Sequence, residues 1–312
     1  MTFKSARGPV TEEVFTSEGT RCAARVHRPA DGGSRPVVVM GHGFGGVRAL
    51  RLDAYAEHFA AAGYLVVVFD YRGFGESEGS PRQVLDVRRQ LQDWRAALQF
   101  ARGLPGADPR RVVAWGTSFG GGHVITLAGQ GEPLAAVVAQ VPHVSGPAAV
   151  RATGVRAALR LAPLALRDLV AERRHRPPVY VDAVGRPGST AVMTSPDAVP
   201  GLARQIAESG LSTGDYPQHV AARITARIGW YSPIRHAGAV TCPALVQIAA
   251  HDAVTPRAVA ERAAARMARA TVRVYDCGHF DPYVEPFFAT TIADQLAFLA
   301  THVPVLDGPA AA

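Results

Sequence analysis

Apolar residues recur along the chain with two periods, one of two residues and one close to four. Residues 12–17 and 21–28 alternate apolar and polar side chains around Glu18-Gly19-Thr20, which predicts an opening β-hairpin. Short unbroken apolar runs then take turns with stretches of helical spacing. Strands are expected at 37–40, 65–69, 111–115 and 135–141, and helices at 53–62, 83–102 and 121–129. This rhythm predicts an α/β fold with a mostly parallel sheet covered by helices on both faces. It breaks at Pro142 and resumes near Pro243 with strand 244–249, helix 256–267, strand 271–275 and helix 286–302. The Pro, Gly and Ala of 303–312 predict a frayed tail. Within the break, Ala/Leu/Arg spacing over 148–172 predicts amphipathic helices, and 202–209 and 219–228 read as further helices. Residues 179–184 and 189–194, flanking Gly185-Arg186-Pro187-Gly188, predict a small hairpin. The expected division is therefore a core of 1–141 and 233–312 with a largely helical insertion at 142–232.

One junction in this pattern carries chemistry. The apolar run 111–115 stops at Gly116-Thr117-Ser118-Phe119-Gly120, and a helix opens at once with Gly121-Gly122-His123. Strand, serine and helix in immediate succession form the nucleophile elbow, whose tight turn needs glycine at its flanks. The serine oxygen then stands at a helix N-terminus, where developing negative charge is stabilised. The same short pattern occurs at Gly75-Glu76-Ser77-Glu78-Gly79, but Ser77 lies between two carboxylates in a polar loop, several residues past the nearest strand. Ser77 is read as a loop residue and Ser118 as the nucleophile.

A serine needs a base, and the base needs an orienting acid. His279 follows the strand-like 271–275 in Asp276-Cys277-Gly278-His279-Phe280, and Asp252 follows 244–249 in a second loop. Asp276 and Asp281 are rival acids, ranked below Asp252 because they sit in the loop of His279 itself. The order Ser118, Asp252, His279 is that of nucleophile-elbow hydrolases. His143 and His251 also fall at predicted strand ends, where they either line the site or face solvent.

These features resemble the α/β-hydrolase superfamily over most of the chain. Met40-Gly41-His42-Gly43-Phe44-Gly45-Gly46 is similar to its oxyanion loop, and 70–77 to the loop after its next strand. The resemblance implies an active site at the C-terminal ends of the strands, with the Phe44 and Phe119 N–H groups forming the oxyanion hole. His42 and Gly43 would support that loop. It also implies that 142–232 forms a cap, with Leu159, Leu161, Leu164, Leu166, Val192, Met193, Ile224, Ile228 and Trp230 as either its apolar roof or its own core.

Composition narrows the alternatives. With 48% hydrophobic and 19% charged residues, the 312-residue chain reads as a soluble globular enzyme. No apolar run approaches a bilayer span, and the start of the chain has no apolar leader core, so a cytoplasmic protein is expected. The net charge of +7 comes almost wholly from arginines, with Lys4 the single lysine, scattered among small apolar residues. Without aromatic-basic interleaving this predicts no nucleic-acid partner. The densest stretch, 172–176, reads as a solvated helix end. Cys22, Cys242 and Cys277 are odd in number and lack metal spacing, so no disulfide framework, metal or organic cofactor is expected.

The expected reaction is two-step acyl transfer on a small or medium hydrophobic ester, through an acyl-enzyme on Ser118. Peptidase, thioesterase, lactonase and carbon–carbon bond hydrolase chemistries remain open on the same residues, as does a binding protein that keeps only the fold. A peptidase that trims N-termini needs an acid in the insertion to hold the ammonium, and Asp168, Glu172, Asp182, Asp197, Glu208 and Asp215 are the candidates. Haloalkane or epoxide chemistry needs aspartate where this chain has Ser118.

Overall fold

A computed structural model describes residues 8–30 and 33–306. The start of the chain with Lys4, and positions 307–312 of the expected tail, lie outside the described residues. The chain forms, in order, β1 (Val10–Ser17), β2 (Thr20–His27), β3 (Arg35–Gly41), α1 (Leu52–Ala61), β4 (Leu65–Phe69), α2 (Val87–Arg102), β5 (Ala107–Thr117), α3 (Phe119–Gly129) and β6 (Ala136–Gln140). Next come α4 (Gly146–Thr153), α5 (Val155–Arg173), β7 (Tyr180–Val184), β8 (Ala191–Met193), α6 (Ala198–Glu208), β9 (His219–Ala221) and α7 (Ile224–Arg227). Strand β10 (Ala244–Ala249), α8 (Arg257–Ala264), β11 (Ala270–Tyr275) and α9 (Phe287–His302) complete it.

Eight strands pair in the order β1-β2-β4-β3-β5-β6-β10-β11, parallel from β4 onward, while the opening hairpin runs antiparallel. The central strands are buried on both faces, and their alternate residues feed two separate layers. Val37 and Val39 pack in one cluster with Trp94 and Leu98 of α2 and Val124 of α3. Val38 and Met40 pack in the other with Tyr55 and Phe59 of α1 and Ile292 and Leu299 of α9. That two-residue period explains why these strands read as unbroken apolar runs. Helix α2 starts later than the expected 83, at Val87, because the Asp86 carboxylate accepts a hydrogen bond from Arg89 N at 3.0 Å and caps it. Strand β3 leads to β4 on one side and lies beside β5 on the other. The direction of winding thus reverses between β3 and β5, the place where open α/β sheets bind ligands.

The segment between β6 and β10 departs from its expected pattern. Helices α4 and α5 meet at Gly154, whose φ of 83° suits glycine. The hairpin expected over 179–194 is instead a parallel pair, β7 beside β8, with Asp182 opposite Ala191. Both strands are so short that the connection needs to return by only two residues. The antiparallel partner of β7 is β9, whose residues 219–221 had been expected in a helix. Its backbone hydrogen bonds are supplied from afar. Ala221 N donates to the carbonyl of Gln83 at 2.9 Å, and Gln83 Nε2 donates to the carbonyls of Pro217 and His219, both at 3.0 Å. The expected tail begins well ordered, since Val303 is buried and its carbonyl accepts from Tyr64 Oη at 3.1 Å.

Asp168 of α5, fully buried, ties the segment together. It accepts from Arg223 Nε at 2.7 Å, Arg223 Nη2 at 2.8 Å, and the Arg223 and Val179 amides, each at 2.8 Å. Burial pushes the carboxyl pKa up, but these donors bring it below its ordinary value. Asp168→Ala would leave a buried guanidinium with only Glu172 to face, so a loss of about 3–5 kcal/mol is expected. Urea unfolding of the variant against the wild type measures it, and an unchanged midpoint would exclude the pair as a structural tie.

Candidate active site

Ser118 ends β5 and enters α3 with φ 53° and ψ −116°. A non-glycine residue in that region carries about 1–3 kcal/mol of backbone strain, sustained by the packing around it. The two flanking glycines show why. A Cβ on Gly116 would stand 2.2 Å from the Gly120 carbonyl oxygen, and one on Gly120 would stand 2.6 Å from that of His42. Substitution at Gly116 forces the elbow's own turn open, and substitution at Gly120 forces it away from the neighbouring loop.

The structure brings the three residues singled out in the sequence into one chain of contacts. Ser118 Oγ lies 3.1 Å from His279 Nε2, and His279 Nδ1 lies 2.7 Å from Asp252 Oδ2. A carboxylate only accepts, so Nδ1 carries the proton and Nε2 presents its lone pair to the serine hydroxyl. Asp252 is fixed in turn by the amides of Val254 and Thr255, at 2.8 and 2.6 Å, and by Thr255 Oγ1 at 2.7 Å. His279 and Ser118 are both buried, 2% and 7% exposed, so the contacts operate out of bulk water. Such an arrangement can deprotonate the serine for attack on a carbonyl and return the proton to a leaving group.

The loop 41–46 comes within van der Waals reach of the elbow, and a Cβ on Gly43 would lie 3.0 Å from that of Ser118. The Phe44 N–H takes part in none of the described loop backbone bonds. As first residue of α3, Phe119 has no intrahelical acceptor for its own N–H. His42 Nδ1 lies 3.0 Å from the Gly43 carbonyl, and burial lowers the imidazole pKa, partly offset by Asp70. Asp70, passed over in the sequence beyond its loop motif, clamps this region. It accepts from the Arg48 amide at 2.7 Å, Arg48 Nε at 3.2 Å and the Glu76 amide at 3.2 Å.

Other candidates fall elsewhere. Ser77 Oγ is buried against the chain, donating to the Asp70 carbonyl at 2.6 Å and accepting from Ala23 N at 2.8 Å. His251 does not line the site. It is an exposed residue paired with Asp276 at 2.6 Å, because its side chain points away from the loop face that Asp252 occupies. Asp281 accepts from Gly278 N at 2.7 Å and braces the His279 loop from below. Of the expected roof, Leu159 and Trp230 are 69% and 81% exposed, and Leu164 packs on the core cluster, whereas Leu161, Leu166, Val192, Met193, Ile224 and Ile228 face cavities.

His143 is buried and lines a cavity of about 320 Å3 with Ser118 and Phe119. Behind it His123, invisible as anything but a helix residue in the sequence, bridges Tyr231 Oη at 2.7 Å and Gln90 Oε1 at 2.9 Å. Burial, reinforced by neighbouring histidines, pushes the His123 pKa down to about 3. Burial, partly offset by the Tyr231 carbonyl, takes that of His143 to about 4. Both return to about 6.5 in the unfolded chain, which therefore binds more protons as the pH falls below that value. Stability is fully present above about pH 6.5 and declines below it, by about 2–3 kcal/mol for each histidine at about pH 4.5. Urea midpoints measured across that window test the expectation. A flat profile would mean that both rings are charged in the native state.

Two more cavities adjoin. A narrow cleft of about 70 Å3 is lined by His42, Phe44, Ser118 and His279 from the sheet ends and by Ala183, Met193 and Gln205 from the segment above. An apolar chamber of about 420 Å3 lies between α4, α5 and α7. Among the described residues no cluster of three or more His, Cys, Asp or Glu is arranged to hold a metal, and no helix is long and apolar enough to cross a membrane.

A mostly parallel sheet with an elbow serine at its switch point is the α/β-hydrolase fold. The chain belongs to the S15 family, whose model, described as X-Pro dipeptidyl-peptidase (S15 family), matches residues 18–280. It is 41% identical over 291 residues to the quorum-quenching protein AidA of Acinetobacter baumannii strain MDR-ZJ06, covering 93% of this chain and 94% of that one. In fold it is similar to the α/β hydrolase GrgF from a Penicillium species, with TM-score 0.78 at 20% identity, covering 94% and 99% of the two chains. A hypothetical protein of Pseudomonas aeruginosa gives TM-score 0.80 at 19% identity over 96% and 95%.

Proposed function

We propose that the chain hydrolyses carboxylic esters with hydrophobic substituents, using Ser118 as nucleophile, His279 as base and acid, and Asp252 as its orienting partner. Ser118 attacks the carbonyl carbon as its proton passes to His279 Nε2, and the oxyanion is held by the N–H groups of Phe44 and Phe119. His279 protonates the departing alcohol, and a water activated by the same ring then releases the acid. The segment 142–232 acts as the cap that shapes the pocket.

The observation that carries the ester reading is the composition of the walls. None of the three cavities is lined by Asp or Glu among the described residues. A dipeptide-releasing peptidase must hold a substrate ammonium; of the six acids of the segment, Asp182 and Asp197 line none of the three cavities and the other four are engaged elsewhere. Asp168 and Glu172 bind Arg223, Glu208 pairs with Arg51, and Asp215 accepts from the Ser212 amide. A second reading, hydrolysis of an internal ester, a lactone, is favoured by the 41% identity to a relative named for quorum quenching.

The test is hydrolysis of simple alkyl and lactone esters together with labelling by a fluorophosphonate. Turnover with the label on Ser118 is expected. No turnover and no label would end the serine-hydrolase reading for this site, and turnover of lactones alone would favour the second reading.

A further inference from the structure

We infer that the protein selects its ester by the acyl half: a medium-length aliphatic acyl chain lies in the chambers walled by α4 and α5, and only a small alcohol fits beside His279. This rests on the ester reading above and adds which half of the substrate is long.

The direction follows from proton transfer. His279 must hand its proton to the leaving oxygen, so the alcohol departs on the His279 side of Ser118. His279 lines the narrow cleft and is not part of the wall of the 320 Å3 chamber, which Ser118 borders together with Phe119 and His143. The alcohol side therefore offers about 70 Å3 and the acyl side about 320 Å3. The acyl side also continues further. Phe44, Ala149, Thr153, Val192 and Ile228 line both that chamber and the 420 Å3 chamber beyond it.

The lining of the far chamber specifies hydrocarbon. Its walls are Leu, Ile, Val, Ala and Phe apart from Thr153 and Thr225. Each of those hydroxyls is occupied, Thr153 Oγ1 donating to the Ala149 carbonyl at 3.0 Å and Thr225 Oγ1 to that of Ala222 at 2.8 Å. A polar group placed there would lose its water and find no free donor, whereas each methylene gains about fourfold in affinity.

Methyl nonanoate and octyl acetate isolate the question, because they have the same atoms and differ only in which side of the ester carries the chain. With methyl butanoate as reference, kcat/KM is measured by acid release. Methyl nonanoate is expected to exceed octyl acetate by about tenfold or more. Ala165, buried on the chamber wall, is replaced in Ala165→Phe, and its neighbour along the helix in Ala158→Phe. Either filled variant is expected to lose about tenfold more on methyl nonanoate than on methyl butanoate. Octyl acetate turned over as well as its isomer, or folded variants with an unchanged nonanoate to butanoate ratio, would overturn the placement while leaving the ester reading intact. Failure to hydrolyse any of the three would overturn that reading and the placement with it.

Discussion

Ser118→Ala is expected to lower kcat on any ester substrate by about three to six orders of magnitude while the unfolding midpoint stays at or above that of the wild type. In the proposed mechanism removing Oγ deletes the atom that forms the acyl-enzyme, and neither the second elbow-like serine nor the neighbouring threonine can replace it. Ser77 Oγ is committed to the Asp70 carbonyl and the Ala23 amide, and Thr117 Oγ1 faces Tyr283 Oη at 2.5 Å. The backbone donors proposed at Phe44 and Phe119 are untouched by the substitution, so a small residual rate over water is expected rather than none. Stability is spared because the strain at φ 53° belongs to the backbone and alanine keeps the Cβ. Binding of substrate should be retained, which makes the variant useful for measuring affinity directly. A variant with more than a tenth of wild-type kcat would remove Ser118 from the mechanism.

Asp252→Asn is expected to cost about 10⁴ in kcat with little change in KM. Three donors besides His279 converge on this carboxylate, from the Val254 and Thr255 amides and the Thr255 hydroxyl. Both amides use Oδ1, whereas His279 and the hydroxyl use Oδ2. The carbonyl oxygen of asparagine will therefore take the Oδ1 position and its amide nitrogen the Oδ2 position. That nitrogen donates toward His279 Nδ1, forces the proton onto Nε2, and leaves the ring unable to accept from Ser118. The rate should recover with rising pH if hydroxide replaces the lost base. Wild-type-like kcat at neutral pH would falsify the orienting role of Asp252.

Much of this site was legible because its signals are local. The elbow, the 41–46 loop and the two late loops each lie within a few residues of a strongly apolar strand, and strand ends in a parallel sheet share one edge. What the sequence hid depends on partners far away. Strand β9 exists because β7 and Gln83 complete its hydrogen bonds, and no short-range pattern in His219-Val220-Ala221 reports that. Asp168 reads as a spare acid on a helix until Arg223 is placed against it. Adjacent His251 and Asp252 point in opposite directions, and residue type cannot say which faces inward. The cavities escape for the same reason, since Ala158 and Ala165 look like ordinary helix formers until the space beside them is seen.

The three bonds at Gln83 bear on how the two layers of the site can change over time. Gln83 belongs to the loop leading into α2, yet three of its hydrogen bonds end on the 217–221 strand region above. The small sheet is thus indexed to the floor at a point remote from both ends of its own segment; α5 is bound to it through Asp168, while α4 stands outside that fastening. Substitutions on α4, at Ala149, Val150 or Thr153, can resize the hollow behind Phe44 without touching either set of bonds. On the proposed reading, the part of the pocket wall that α4 supplies can be retuned while the reacting residues keep their alignment.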